Sequence, residues 1–255
     1  MVTATVAPAH VDARNLRVSY RGRQVLHGVS FEIPRNTIFS IIGPAGSGKT
    51  TLLTCLNRSV ELLPHATMSG SVHLDGIDVA HMDPNEVRRR VAMVLPLPVG
   101  LPMSVYDNVA FAPRMAGVKK KSELDAIVER CLVQAALWDE VKDRQTVLGT
   151  RLSGGQQQRL TLARALSTDP DVLCLDEFSI AIDPVTTMRI ESVLVELKSL
   201  VTIVLVTNLL AQARRIADHT LFLLQGAIVE EGPTEELFLR AKDPRTSDYM
   251  QGKFG

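Results

Sequence analysis

Long apolar runs are missing: nothing in the 255 residues approaches the roughly 20 consecutive apolar residues that a membrane-crossing helix needs. The chain is not expected to span a bilayer by itself. Met1–His10 also lacks a basic flank followed by an apolar stretch, so no secretory leader is expected and the chain is expected to stay in the cytoplasm. Cysteine is scarce. Cys55, Cys131 and Cys174 are odd in number, far apart and set among apolar neighbours, which suits buried thiols in a reducing compartment rather than disulfides or a metal site. The six histidines show no ligand spacing. Neither sign of charge is in excess, since Lys and Arg total 28 and so do Asp and Glu. Without a whole-molecule field, nucleic acid is not an expected partner, and any anionic partner must be engaged locally.

What is present is a large apolar fraction, 45%, enough for a substantial core in a chain of this length. The central stretch is Gly43-Pro44-Ala45-Gly46-Ser47-Gly48-Lys49-Thr50-Thr51, placed between the apolar run Ile38 to Ile42 and a helical stretch. Three glycines let the backbone turn tightly and point successive N–H groups inward at the positive end of the following helix. Lys49 adds a point charge for β and γ phosphates, and the Thr50 hydroxyl is placed to ligate Mg²⁺. The spacing predicts a nucleoside triphosphate site.

Upstream, Leu16, Val18 and Tyr20, then Val25, Leu26, Val29, Phe31 and Ile33, are broken by Arg21-Gly22-Arg23 and predict antiparallel strands. Tyr20 on its spacing alone reads as an ordinary strand tyrosine, although an aromatic there can stack on a base. Ser71 to Ile77 predicts a strand entering an Asp-Gly turn. Val91 to Leu95 is another strand, ending in the linker Pro96-Leu97-Pro98-Val99-Gly100-Leu101-Pro102. From about Leu97 to Thr150 the pattern is helical, with Leu124, Ile127, Val128, Cys131, Leu132 and Ala135 at i, i+3, i+4 spacing.

Leu152-Ser153-Gly154-Gly155-Gln156 opens a further helix and offers N–H groups and a hydroxyl to an anion, or else only an N-cap. Asp171 to Glu177 is an apolar strand ending in two carboxylates. At the C-terminal end of a parallel strand, Asp176 can hold Mg²⁺ through a water while Glu177 orients an attacking water. Thr202 to Val206, ending at Thr207-Asn208, is one more strand, and a mixed α/β tail follows.

Phosphate loop, Leu-Ser-Gly-Gly-Gln and an apolar strand ending Asp-Glu, in that order, resemble the ATPase domain of ABC transporters over the whole chain. The stretches Pro102 to Ala110, Leu137 to Asp143, Gln156 to Arg159 and Asp248 to Gly255 are similar to ATP-binding subunits of bacterial phosphate importers. The resemblance implies an α/β fold: a P-loop NTPase core with a mixed sheet, an antiparallel β subdomain and an inserted helical subdomain, residues 1–255 forming one domain with the insert at about 97–150 and the signature at 152–156. It implies ATP and Mg²⁺ as ligands, with ATP stacked on Tyr20, and a head-to-tail dimer with itself or a paralogue in which Ser153, Gly154, Gly155 and Gln156 act in trans. It assigns Glu177 as catalytic base, Mg²⁺ to Thr50 and Asp176, and Asp183 to the loop linking the two sites. It places transmembrane permease subunits near Leu97 to Tyr106 and the chain peripherally at the cytoplasmic face of the inner membrane.

The chain departs from the family's pattern in four places. The glutamine expected before the helical insert is Pro96, and the histidine expected after the last core strand is Asn208. Phe178 replaces a proline, and Ser179-Ile180-Ala181-Ile182 is bulkier than the usual loop before Asp183. Each positioned polar group lost around a reacting centre costs about 10²- to 10³-fold in turnover. The expectation is an importer ATPase with slow hydrolysis; the alternative is a degenerate protein that dimerises on ATP without effective turnover.

Overall fold

The computed structural model describes residues 9–97, 100–179 and 182–254. Pro98 and Val99 of the linker, Ile180 and Ala181 of the loop before Asp183, Gly255 and all but the last two residues of Met1–His10 lie outside the described residues. In chain order the elements are β1 (Val11–Tyr20), β2 (Arg23–Ile33), β3 (Ile38–Ile42), α1 (Lys49–Leu56), β4 (Ala66–Leu74), β5 (Ile77–Asp78) and α2 (Pro84–Arg90). There follow β6 (Val91–Val94), α3 (Val105–Met115), α4 (Lys121–Gln134), α5 (Trp138–Val141), α6 (Gly154–Leu166), β7 (Val172–Asp176) and α7 (Pro184–Leu197). The chain ends with β8 (Thr202–Thr207), α8 (Leu210–Ile216), β9 (His219–Leu224), β10 (Ala227–Pro233), α9 (Thr234–Arg240) and α10 (Pro244–Met250). This is the mixed α/β architecture that the sequence predicts, carrying one antiparallel and one mixed sheet. It divides into two compact units, one through Arg88 plus the chain from Val204 onward, the other from Arg89 to Ile203.

The first unit contains the antiparallel sheet, in the order β2-β1-β4-β5. Its apolar alternation slips by one residue: Val11 and Ala13 are buried, then Leu16 and Val18. The register shifts between Ala13 and Leu16 against β2 and between Arg14 and Arg17 against β4, and Asn15 there has a φ of 48°. A bulge inserts one residue, so the second pair of apolar side chains faces the same side as the first. In the mixed sheet of this unit β3 pairs parallel with β9, Phe39 opposite His219, and β9 pairs antiparallel with β10. All five residues of β3 are buried. A strand covered on both faces needs no polar alternation, which is why it reads as a continuous apolar run. Ile42, Ala213, Phe222, Leu237 and Tyr249 form a cluster on one side of this sheet, with the Phe222 and Tyr249 rings stacked at 4.7 Å.

In the second unit β6 pairs parallel with β7, Val91 opposite Val172. The helices α3, α4 and α5 follow β6, and α4 buries Leu124, Val128, Cys131 and Leu132 along one face. Burial pushes the thiols of Cys55 and Cys174 up to about 12 and Cys131 to about 11, so all three are unreactive at neutral pH. β8 begins in this unit and ends in the first, with all six residues buried.

Three helices have no counterpart among the sequence expectations: α2, α7 and α10. Each starts with Asp-Pro. The Asp83 carboxylate accepts from the Asn85 and Glu86 amides, Asp183 from Thr186 and Asp243 from Arg245, while Pro84, Pro184 and Pro244 sit where no donor is needed. An aspartate N-cap followed by proline at the first helical position is a start signal that hydrophobic periodicity does not contain.

Candidate nucleotide-binding and catalytic site

On the first unit, β3 delivers the chain to the loop Gly43 to Gly48, and α1 carries it away. Gly43 is packed so tightly that an added Cβ would lie 2.1 Å from the Leu223 carbonyl oxygen on β9. The loop is braced from the far side too, since the Gly226 amide in the β9–β10 turn donates to the Ser47 carbonyl at 2.9 Å. Gly43→Ala is therefore expected to push the loop off β9, costing about 1–3 kcal/mol or more as overpacking. A thermal melt with and without MgATP checks it: the melting temperature should fall, and the ligand-induced rise should shrink.

Lys49 is only 5% exposed and folds back over its own loop, its ammonium donating to the carbonyls of Gly43 at 2.8 Å and Pro44 at 3.1 Å. A buried cation satisfied by two neutral carbonyls can exchange them for anionic oxygens at a gain, because charge-assisted bonds to an anion are the stronger kind. The Ser47 hydroxyl is buried and has no hydrogen-bond partner. Thr50 is exposed at the start of α1. Tyr20, half-buried at the end of β1, brings its hydroxyl within 3.5 Å of the Thr51 hydroxyl. The strand tyrosine is thus adjacent to the phosphate loop. Asn208 also lies on this unit, exposed just beyond β8, with the next amide, Leu209, donating to the Thr207 hydroxyl.

On the second unit, β7 ends at Asp176, which is 1% exposed, and Glu177 follows, half-buried. Glu177 has a φ of 41°. For a residue with a side chain this left-handed conformation costs about 1–3 kcal/mol, and such strain is retained only where the surroundings impose it. Phe178, the next residue, is 2% exposed and lines a small cavity with Leu162, Leu175, Ile190 and Leu194. Asp183 caps α7, and hydrogen bonds from Thr186 hold its carboxyl below the usual range. Pro96 is half-buried two residues past β6.

Ser153 opens α6 with a reciprocal capping box: its hydroxyl accepts from the Gln156 amide, and the Gln156 side chain accepts from the Ser153 amide. The Gln156 side-chain Nε2 donates to Glu140 at 2.8 Å, and Glu140 also accepts from Arg159 at 2.7 Å. The Arg159 guanidinium holds the Glu140 carboxyl below its ordinary pKa. Glu140 and Arg159 therefore orient the signature, and sequence reasoning assigned them no such role. One acidic residue on a four-residue helix has no pattern to betray it, although both lie in stretches that carry the resemblance.

The sequence profile of the ABC transporter family matches residues 26–179, from β2 to just beyond Glu177. The chain belongs to the ABC transporter family. It is also similar, at 47% identity over 96% of this chain and 98% of its relative, to the phosphate import ATP-binding protein PstB of Thermotoga maritima. Among solved structures, this ABC-family chain superposes with a TM-score of 0.80 on a bacterial Atm1-family ABC exporter with ATP bound, at 27% identity, covering 98% of this chain and 43% of the exporter's. CbiO1 from Clostridium perfringens, part of the ABC transporter complex cbiONQ, also gives a TM-score of 0.80, with 95% of each chain covered. At 24% identity that likeness speaks for the fold of an ABC ATP-binding domain. Among the described residues of this ABC-family chain, no helix is long and apolar enough to cross a membrane.

Proposed function

We propose that the chain is the ATP-binding subunit of an importer for inorganic phosphate, working as a single ATPase domain, residues 1–255, with its helical insert at about 97–150. The observation that carries this reading is the 47% identity to a phosphate import ATP-binding protein over nearly the full length of both. ATP binds on Gly43 to Thr51 with its base beside Tyr20, and Thr50 and Asp176 hold Mg²⁺, which neutralises phosphate charge. Lys49, self-satisfied and ready to exchange its carbonyls, fits this ligand, as does the unpartnered Ser47 hydroxyl. Ser153 to Gln156 of a second subunit, identical or paralogous, cover the nucleotide in a head-to-tail dimer, with Asp183 on the loop between the two sites. Glu177 takes the proton of the attacking water.

The permease docks on the second unit, where Leu95 is 56% exposed, Leu97 69% and Met115 75%. Exposed large apolar side chains fit a protein partner, and such a partner would keep the subunit at the cytoplasmic face of the membrane. Pro96 has no side-chain donor or acceptor where glutamine would have both, and Asn208 can donate a hydrogen bond but lacks the positive charge of histidine, so hydrolysis is slow.

Single-turnover hydrolysis of MgATP tests the chemistry. The unsubstituted chain is expected to turn over above a Glu177→Gln control, and Pro96→Gln/Asn208→His to exceed it by about tenfold or more. The substitution of these two positions favours a second reading, an ATP-gated dimer without effective hydrolysis. Equal rates for the unsubstituted chain and the control, with activity only in the double variant, would establish that reading instead. Uptake of radiolabelled phosphate against sulfate by vesicles holding the assembled transporter tests the solute.

A further inference from the structure

Beyond the proline-rich linker, the backbone from Gly100 to Ser104 is tied into a compact knot by one side chain. Asn108 is fully buried; its amide nitrogen lies 3.2, 3.0 and 2.9 Å from the carbonyls of Leu101, Met103 and Ser104, and its oxygen accepts from the Leu101 amide at 3.0 Å. Two N–H donors shared among three carbonyls, and one acceptor oxygen, gather the segment around a single planar group. That segment is pressed against the residues leading into the signature. The Gly149 amide donates to the Met103 carbonyl at 2.8 Å, and a Cβ added to Gly100 would lie 2.7 Å from the Gly149 carbonyl carbon and oxygen. Backbone therefore meets backbone, with no side chain between to absorb a displacement by changing rotamer.

The connection closes through Gln157, in the first turn of α6. Its Oε1 accepts from the Gly100 amide at 3.3 Å while its Nε2 donates to the Leu152 carbonyl at 2.8 Å. One rigid amide thus bridges the end of the linker and the residue before Ser153. We propose that Gln157 is a positioning residue that couples the segment Gly100 to Ser104 to the placement of Ser153, so that pressure from a membrane subunit on the neighbouring apolar surface is delivered to the signature. This rests on the reading that Leu95, Leu97 and Met115 face such a subunit. Gln157 itself touches neither nucleotide nor metal in that reading. Its effect is on coupling, not on chemistry.

The test uses the complete transporter, the chain assembled with its permease in lipid vesicles, beside the chain alone. Gln157→Leu removes both bonds at similar length, Gln157→Glu keeps the acceptor for Gly100, and Gly100→Ala forces the two backbones apart from the other side. Each is assayed for ATPase rate and for KM of ATP, alone and assembled. The expected result is a rate and KM of the chain alone within about twofold of the unsubstituted protein, with the acceleration on assembly falling about fivefold or more in Gln157→Leu and Gly100→Ala and less in Gln157→Glu, the range of ordinary coupling energies. Full acceleration in both Gln157→Leu and Gly100→Ala overturns the proposal. So does an equal loss in the chain alone, which marks a merely structural role. Absence of acceleration in the unsubstituted complex removes the transporter reading and this coupling with it, and is told apart because no substitution is present.

Discussion

Glu177→Gln is expected to lower MgATP turnover by about 10²- to 10⁴-fold, the usual contribution of a general base, while ATP affinity stays within about twofold. Glutamine has the size and shape of glutamate, so Phe178 keeps its seat in the core and the backbone keeps its φ of 41°. What disappears is the charge that accepts a proton. With ATP bound and not consumed, a closed dimer should accumulate, visible by size-exclusion chromatography as an ATP-dependent species of twice the mass. Glu177→Gly separates chemistry from strain. Glycine adopts positive φ freely, so this variant should lose turnover to the same extent yet gain about 1–3 kcal/mol in stability from released strain. Turnover unchanged in Glu177→Gln would remove Glu177 from the chemistry altogether.

Lys49→Ala is expected to weaken MgATP binding by about 10²-fold or more, read by titration calorimetry. Each charge-assisted bond to phosphate contributes about 1.5–3 kcal/mol, and about 1.4 kcal/mol corresponds to tenfold. The packing of Lys49 adds a second expectation. Because the Lys49 ammonium is buried on the Gly43 and Pro44 carbonyls, its removal also takes this donor from both, leaving Pro44 only the Ser47 amide, and should destabilise the loop without nucleotide. Lys49→Met separates the two effects: it restores the buried apolar stem without the charge, so the melt of the empty protein should partly recover while affinity does not. Unchanged affinity in Lys49→Ala would refute the placement of the nucleotide on this loop.

Much of this protein is local in origin and could be read along the chain. Gly43 to Thr51 act through neighbours a few residues apart, so the strand, the turn and the helix start are written in consecutive residues. The same holds for the five buried residues of β3 and of β7 and for the capping box of Ser153 and Gln156. The Asp-Pro starts of α2, α7 and α10 are just as local; they went unread because short helices with mixed faces give little periodicity.

Tertiary structure alone decided how those pieces are held. Glu140 meets Arg159 across 19 residues, Gln157 meets Gly100 across 57, and Tyr20 approaches Thr51 across 31. Nothing in spacing ranks one polar side chain above another as a partner at such separations, because the contact exists only once intervening elements have packed. The left-handed Glu177 and the folded-back Lys49 belong to the same class. A residue's type limits the conformations open to it, but which one it adopts depends on what surrounds it, such as the two loop carbonyls within reach of Lys49. The sequence by itself therefore determined the α/β class, the family and most of the elements, and packing decided which groups are poised, strained or coupled.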